Sequence, residues 1–133
     1  MYETIIVAVD GSENSYRAAE EALKLNGKHY TLLSVVSHED SKDAVLHSET
    51  SSTEQRIATL QGIIQLYEEQ KIQFETRIEH GIPKETIIKI GNDGHYDLLV
   101  IGTRGLNALQ EMVMGSVSHK VVKEVNIPVL VVK

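Results

Sequence analysis

The chain has 133 residues, 41% apolar and 24% charged, a formal net charge of -6, and neither Cys nor Trp. That length suits one domain, residues 1–133, with a core that needs no cross-links; the missing Cys exclude a disulfide scaffold, thiolate metal sites, iron–sulfur clusters and a thiol nucleophile. An acidic chain repels a phosphate backbone, and no apolar run approaches the about 20 residues of a membrane span, so neither nucleic acid nor membrane is an expected partner.

Met1-Tyr2-Glu3-Thr4 carries no basic leader and predicts a cytoplasmic protein. Residues 4–9, TIIVAV, are β-branched and apolar, as in a strand buried on both faces. After Asp10-Gly11-Ser12, the spacing of Ala18, Ala19, Ala22, Leu23 and Leu25 predicts a helix closed by Asn26-Gly27. Residues 30–36 read as a second buried strand, and the polar stretch 37–52 as a long surface loop. Ser52 and Gln55 have capping-box spacing, and Ile57, Leu60, Ile64 and Tyr67 form one helical stripe. Ile72, Phe74, Thr76 and Ile78 alternate with polar residues, which suits a strand near a sheet edge. Pro83 opens a helix with Ile87, Ile90 and Gly91 inward. Residues 98–101 are the most apolar strand and end at Gly102. Ser116 opens a last helix with Val117, Val121, Val122 and Val125 inward, and residues 127–132 form the last strand.

The regular alternation of strand and helix predicts an α/β fold: a three-layer, doubly wound, open parallel sheet with helices on both faces. In such sheets ligands bind beyond the carboxyl ends of strands, where strand order reverses. The residues after strands one and four are therefore the informative ones. Asp10-Gly11-Ser12 suits either a helix-capping turn or a ligand contact. After strand four comes Gly102-Thr103-Arg104-Gly105, then nine residues, then Gly115-Ser116. Glycines there allow positive φ and close approach of backbone N–H groups to a phosphate. Gly115-Ser116 at a helix start adds free N–H groups and the positive dipole end. Nearby charges balance, Arg104, Lys120 and Lys123 against Asp97, Glu111 and Glu124. Phosphate recognition would rest on backbone amides, with Mg²⁺ or Mn²⁺ offsetting the remaining charge. Arg104 suits a phosphate contact or solvent. Leu106, Leu109, Met112, Val113 and Met114 suit a packed helical turn, a lid or an interface.

The opening VAVDGS, the segment DLLVIGTRG with its later GS, and the closing IPVLVV resemble the universal stress protein family from end to end. The G-x2-G-x9-G-[ST] loop marks the nucleotide-binding branch of that family. The resemblance implies a five-stranded sheet of order 3-2-1-4-5, ATP (or AMP or ADP) at the carboxyl edge, and a homodimer. It implies that Asp10, with the Ala8 and Val9 backbone, meets the adenosine and that Val35 borders the adenine. Gly102 and Gly105 would approach ribose and phosphates, and Gly115, Ser116 and Val117 would hold the phosphates. Ser12, Ile101, Arg104 and Ser118 complete the candidate set. Relatives often carry Pro where this chain has Ala8, and His where it has Ser34.

The implied order makes the last strand, Ile127-Pro128-Val129-Leu130-Val131-Val132, a flat apolar edge; pairing with a second copy would cover it. No catalytic residue is assigned. GxxxxGK[ST] and SGGxDS are absent, and Asp10 alone could serve a metal or act as a base. A stress-response or regulatory ATP-binding module is the leading reading, with a weak ATPase and a nucleotide-free dimerising adaptor as alternatives. A dinucleotide site wants G-x-G-x-x-G after strand one, where Gly11 stands alone. The six His, at 29, 38, 47, 80, 95 and 119, form no HxH or HExxH pair, so zinc is not expected.

Overall fold

The computed structural model describes residues 2–37, 51–103 and 116–133. Along the chain run β1 (Thr4–Ala8), α1 (Glu13–Leu23), β2 (His29–Val36), α2 (Ser52–Thr59), α3 (Gln61–Glu69), β3 (Phe74–His80), α4 (Pro83–Gly91), β4 (Leu98–Gly102), α5 (Ser116–Glu124) and β5 (Val129–Val132). The strands form one sheet of order β3-β2-β1-β4-β5, every pair parallel. This is the doubly wound α/β sheet that the strand–helix alternation predicts.

Successive strand residues point to opposite faces, so a strand covered on both sides must be apolar throughout. In β1 and the residue after it, Ile5, Val7 and Val9 face one layer, while Ile6 and Ala8 face the other. Tyr30, Leu32, Leu98 and Val100 join the first set, and Leu33, Val35, Leu99 and Ile101 the second. The first layer is closed by Ala18, Ala19 and Ala22 of α1 with Leu60, Ile63 and Tyr67 at and within α3. Three alanines let α1 approach the sheet closely. The second layer is closed by Ile87 and Ile90 of α4 with Val121 and Val125 at α5. β3 is an edge, and its side chains are half-buried or exposed, as its polar alternation predicts.

Two buried tyrosines join the first layer. The Tyr67 hydroxyl donates to the Ala19 carbonyl at 2.8 Å and the Tyr30 hydroxyl to that of Ala22 at 2.7 Å. Their rings meet edge-on at 5.4 Å between centroids, and Phe74 packs on Tyr67 at 5.6 Å. Each hydroxyl thus satisfies a carbonyl of α1, and each ring fills the space beneath it.

Local details depart from the sequence reading in several places. α1 ends at Leu23 with Lys24 as its cap, and Asn26 takes the left-handed turn at φ 53°. Gly27 lies close to the core instead: a Cβ there would fall 2.6 Å from Ile5 Cδ1, so the Ile5 side chain would have to shift. The cap of α2 is Ser51, whose Oγ accepts from the Glu54 N–H, so Ser52 is the first helical residue. The single stripe through Ile57 and Tyr67 is broken at Leu60, where φ -92° and ψ 3° divide α2 from α3. In α5, Val122 is exposed and Ser118 takes an inward place. β5 begins at Val129, two residues later than expected.

Burial holds the Tyr67 hydroxyl well above the usual phenol range, and the neighbouring Tyr30 adds to this. A folded state that keeps a proton the unfolded chain loses near pH 10 is destabilised as pH rises past that value. Unfolding free energy should fall above about pH 10, by up to roughly 1.4 kcal/mol per pH unit for each such group. Tyr67→Phe should flatten that fall and cost about 1 kcal/mol near neutrality. Urea titrations of both proteins between neutral and alkaline pH check this, and an unchanged alkaline slope would refute it.

Candidate functional site

α1, which follows β1, covers one face of the sheet, and α5, the next described helix after β4, covers the other. At the end of β1, Ala8 and Val9 are buried, and the Val9 N–H donates to the Leu33 carbonyl at 2.8 Å. Asp10 lies half-buried at the rim. Its Oδ1 accepts from the Ser12 N–H at 2.9 Å, and its own N–H donates to Ser15 Oγ at 3.2 Å. The turn between needs Gly11, at φ 86°, where a Cβ would also meet Thr59 Cγ2 at 2.9 Å. The helix cap is Ser12 itself: its Oγ accepts from the Ser15 N–H at 3.1 Å. Asp10 is therefore not the cap. It is a carboxylate whose orientation the capping turn fixes.

At the end of β4, Ile101 is buried and Gly102 sits against α1. A Cβ on Gly102 would fall 3.0 Å from the Asn14 carbonyl oxygen and 3.2 Å from its carbon. The expected positive φ is not found at Gly102, which is an ordinary strand residue. Its glycine is required by contact with the first turn of α1. Asn14 Nδ2 donates to Thr103 Oγ1 at 3.1 Å, which ties the same two elements together.

The first turn of α5 reaches this tip as well. Ser118 is buried, and its hydroxyl is placed to donate to the carbonyls of Gly102 at 2.7 Å and Thr103 at 3.0 Å. Ser116 is exposed and Val117 half-buried. Thus Asp10, Ile101, Gly102, Ser116 and Val117 gather around the ends of β1 and β4. Ser12 and Ser118 hold these ends in place with their hydroxyls. Arg104, Gly105 and Gly115 lie outside the described residues, as do Leu106, Leu109, Met112, Val113, Met114, His38, His47 and most of the 37–52 segment.

On the β2 side stands a group that carries no signal in the sequence. α2 runs along the carboxyl edge from β3 to the β1–α1 turn. Ser52 Oγ lies 3.0 Å from His80 Nε2 at the end of β3. Arg56 Nη1 donates to Ser34 Oγ at 2.9 Å and to the Val35 carbonyl at 3.4 Å, at the end of β2. Thr59 meets Gly11. A lone Arg in a polar helix belongs to no period or motif, and only tertiary packing brings it to this edge. Among the described residues no group of three His, Cys, Asp or Glu could hold a metal ion, and no helix is long and apolar enough to cross a membrane.

The strand order and the helices on its two faces define an open, parallel α/β domain. The sequence pattern of the universal stress protein family matches residues 1–133. The chain is 28% identical to the universal stress protein YxiE of Bacillus subtilis, over the whole of both chains. It is 32% identical to a putative universal stress protein of Staphylococcus saprophyticus, covering 99% of this chain and 84% of that protein. In structure it is similar to the hypothetical protein MJ0577, with TM-score 0.82, 29% identity, and coverage of 100% of this chain and 96% of the other. It is also similar to an Arabidopsis thaliana member of the family crystallised with AMP bound, with TM-score 0.71, 25% identity, and coverage of 98% and 91%. The chain belongs to the universal stress protein family.

Gly102→Ala would press a methyl group on the Asn14 backbone, which a helix cannot relieve by a rotamer change. The substitution should cost about 1–3 kcal/mol of stability, read as a lower urea midpoint at unchanged m-value. A midpoint equal to that of the parent would show that α1 yields freely at this contact.

Proposed function

We propose that the chain is a single-domain, cytoplasmic stress-response module that binds an adenine nucleotide, ATP, ADP or AMP, at the carboxyl edge of β1 and β4. The observation that carries this reading is the convergence of two unlike groups on one edge. The Asp10 carboxylate is oriented by the Ser12 N–H, and the amino end of α5 is pinned to the β4 tip by Ser118. The first is an acceptor suited to sugar hydroxyls. The second offers an exposed Ser116 at the amino end of a helix, whose first N–H groups have no partner within the helix and whose dipole is positive there, which suits an anion. A nucleoside phosphate has both kinds of group. The AMP bound to the Arabidopsis relative supports an adenine base.

In this reading Ala8, Val9 and Asp10 flank the nucleoside, and Val35 borders the base. Ile101 and Gly102 form the floor, while Ser116 and Val117 meet the phosphates together with Arg104, Gly105 and Gly115 of the loop. Ser12 and Ser118 position their neighbours. Mg²⁺ or Mn²⁺ would accompany the phosphates and offset their charge. Bound ligand supplies free energy to the folded state alone, so occupancy raises stability in proportion to the logarithm of its concentration. This gives a non-enzymatic module a way to report nucleotide level through the order of its own edge. Purified protein, denatured and analysed by mass spectrometry, should release an adenine nucleotide. Gly105→Val and Gly115→Val should each weaken ATP binding at least about tenfold by calorimetry while the fold persists. Unchanged affinity in both would place the site elsewhere.

We also infer a homodimer through β5. Val129, Val131 and Val132 are half-buried and Leu130 is exposed along an edge strand, which invites pairing. A second copy presenting the same strand would close the sheet edge about a two-fold axis. Light scattering at micromolar concentration should give twice the mass of 14.8 kDa. Leu130→Lys should shift it toward the monomer, whereas a monomeric parent would refute the pairing.

A further inference from the structure

We propose that a groove at the amino ends of β1, β2 and β3, on the edge of the sheet opposite to the nucleotide site, binds a small organic amine: one ammonium group on an apolar stem. The inference is independent of the nucleotide reading and uses none of its residues. The groove has a volume of about 500 Å³, within the range of about 300–1,000 Å³ of ordinary small-molecule sites. It exists because the second helix layer stops short of β3. Ile87, Ile90, Val121 and Val125 cover side chains of β1, β2 and β4, and no described β3 residue joins that core. Phe74 and Ile78 pack on the first layer, so alternation turns Glu75, Arg77 and Glu79 to the second. The floor is therefore Thr31 of β2 with Glu75 and Arg77 of β3, and the segment before β4 supplies His95 and Tyr96 as a wall.

Charge decides the ligand. Arg77 is matched within the protein: its Nε donates to Glu79 Oε2 at 2.9 Å, and the Tyr96 hydroxyl is a further partner. Glu75 has no such counterpart. Its Oε1 accepts from the Thr31 hydroxyl at 3.3 Å, a neutral donor, and among the described residues no cationic side chain forms an ion pair with it. Thr31 is a buried polar residue, 4% exposed, and its bond holds this carboxylate at the groove. The wall is fixed by Asp93, which accepts from the His95 N–H at 3.0 Å and lies 3.0 Å from the ring Nδ1, so a second carboxylate stands behind it. An ammonium group supplies the charge that Glu75 lacks, through a charge-assisted hydrogen bond. Tyr96 is half-buried against the second layer and gives the stem an apolar surface and the ammonium a ring face. A carboxylate on the ligand would meet Glu75 and Glu79 on the same face, which disfavours a zwitterion.

The test uses three probes with one stem: phenethylamine, the neutral phenethyl alcohol, and phenylalanine, which sets a carboxylate beside the amine. Titrations of the full chain followed by backbone amide NMR shifts give each dissociation constant and locate the contact. Phenethylamine should bind with a constant of about 1 mM or tighter and shift the amides of Thr31, Glu75 and His95. The alcohol and phenylalanine should each bind at least about tenfold more weakly. Glu75→Gln should reduce the amine to the affinity of the alcohol and leave the alcohol unchanged. Thr31→Val should lower the preference for the amine by a smaller factor. Damage to the walls alone would weaken amine and alcohol alike, so their ratio reads recognition of charge. Glu75 is exposed, so Glu75→Gln should keep the parent's circular dichroism, and Thr31→Val reads the same ratio independently. No saturable shift with the amine overturns the proposal. So does equal binding of amine and alcohol by the parent, tighter binding of phenylalanine than of the amine, or a ratio unmoved in the folded variants.

Discussion

Everything at the carboxyl edge depends on the sheet being sealed on both sides. Three central strands bury every side chain of β2 after His29, all of β4, and all of β1 except its first residue. Apart from Thr31 and Ser34, the buried side chains of these strands are apolar or, as in Tyr30, spend their hydroxyl on a helix carbonyl. The chemistry is therefore expelled to the strand ends, where backbone groups lose their ladder partners and must find others. What distinguishes this edge is how its partners are arranged. One hydroxyl, Ser118, spans two carbonyls of the β4 tip, and one amide side chain, Asn14, reaches the next residue. The ends of β4, α1 and α5 are thus tied to one another by the protein's own hydrogen bonds.

The fold was legible because its signals are local and repeated. TIIVAV and LLVI suit a doubly covered strand, Pro83 marks a helix start, and the polar alternation after Ile72 marks a strand with a wet side. The breaks were less legible, since they depend on one residue at a time. Nothing in the stripe Ile57, Leu60, Ile64 and Tyr67 shows that the helix stops at Leu60, because a broken helix keeps nearly the same periodicity as a whole one. The cap of α2 falls on Ser51 rather than Ser52 for a similar reason: adjacent serines offer the same chemistry, and the tie between Ser52 and His80 lies 28 positions apart in sequence.

The places of the candidate residues were legible, their partners less so. That Asp10 and Ser116 stand near strand ends follows from the order of strand and helix. Gly102 was expected to need a positive φ, and its backbone is instead that of a strand. A glycine spacing pattern does not distinguish a residue that makes room for a ligand from one that makes room for a neighbouring helix, and at Gly102 the neighbour is Asn14. Ser118, expected among the ligand contacts, stands as a buried strut between helix and strand. Arg56 escaped because its contact with Ser34 joins residues 22 positions apart.

The junction at Leu60 gives the two helices that flank it unequal standing. α3 places Ile63 and Tyr67 in the core, whereas α2 has no buried residue and is held by hydrogen bonds and a van der Waals contact at its margins. Leu60 itself is fully enclosed. Elements with few buried side chains open at lower free energy than a sealed sheet, so α2 is expected to exchange its amide protons sooner than the strands. Amide protons on its two sides would exchange on different clocks, and a molecule seated on the edge would slow only the nearer one.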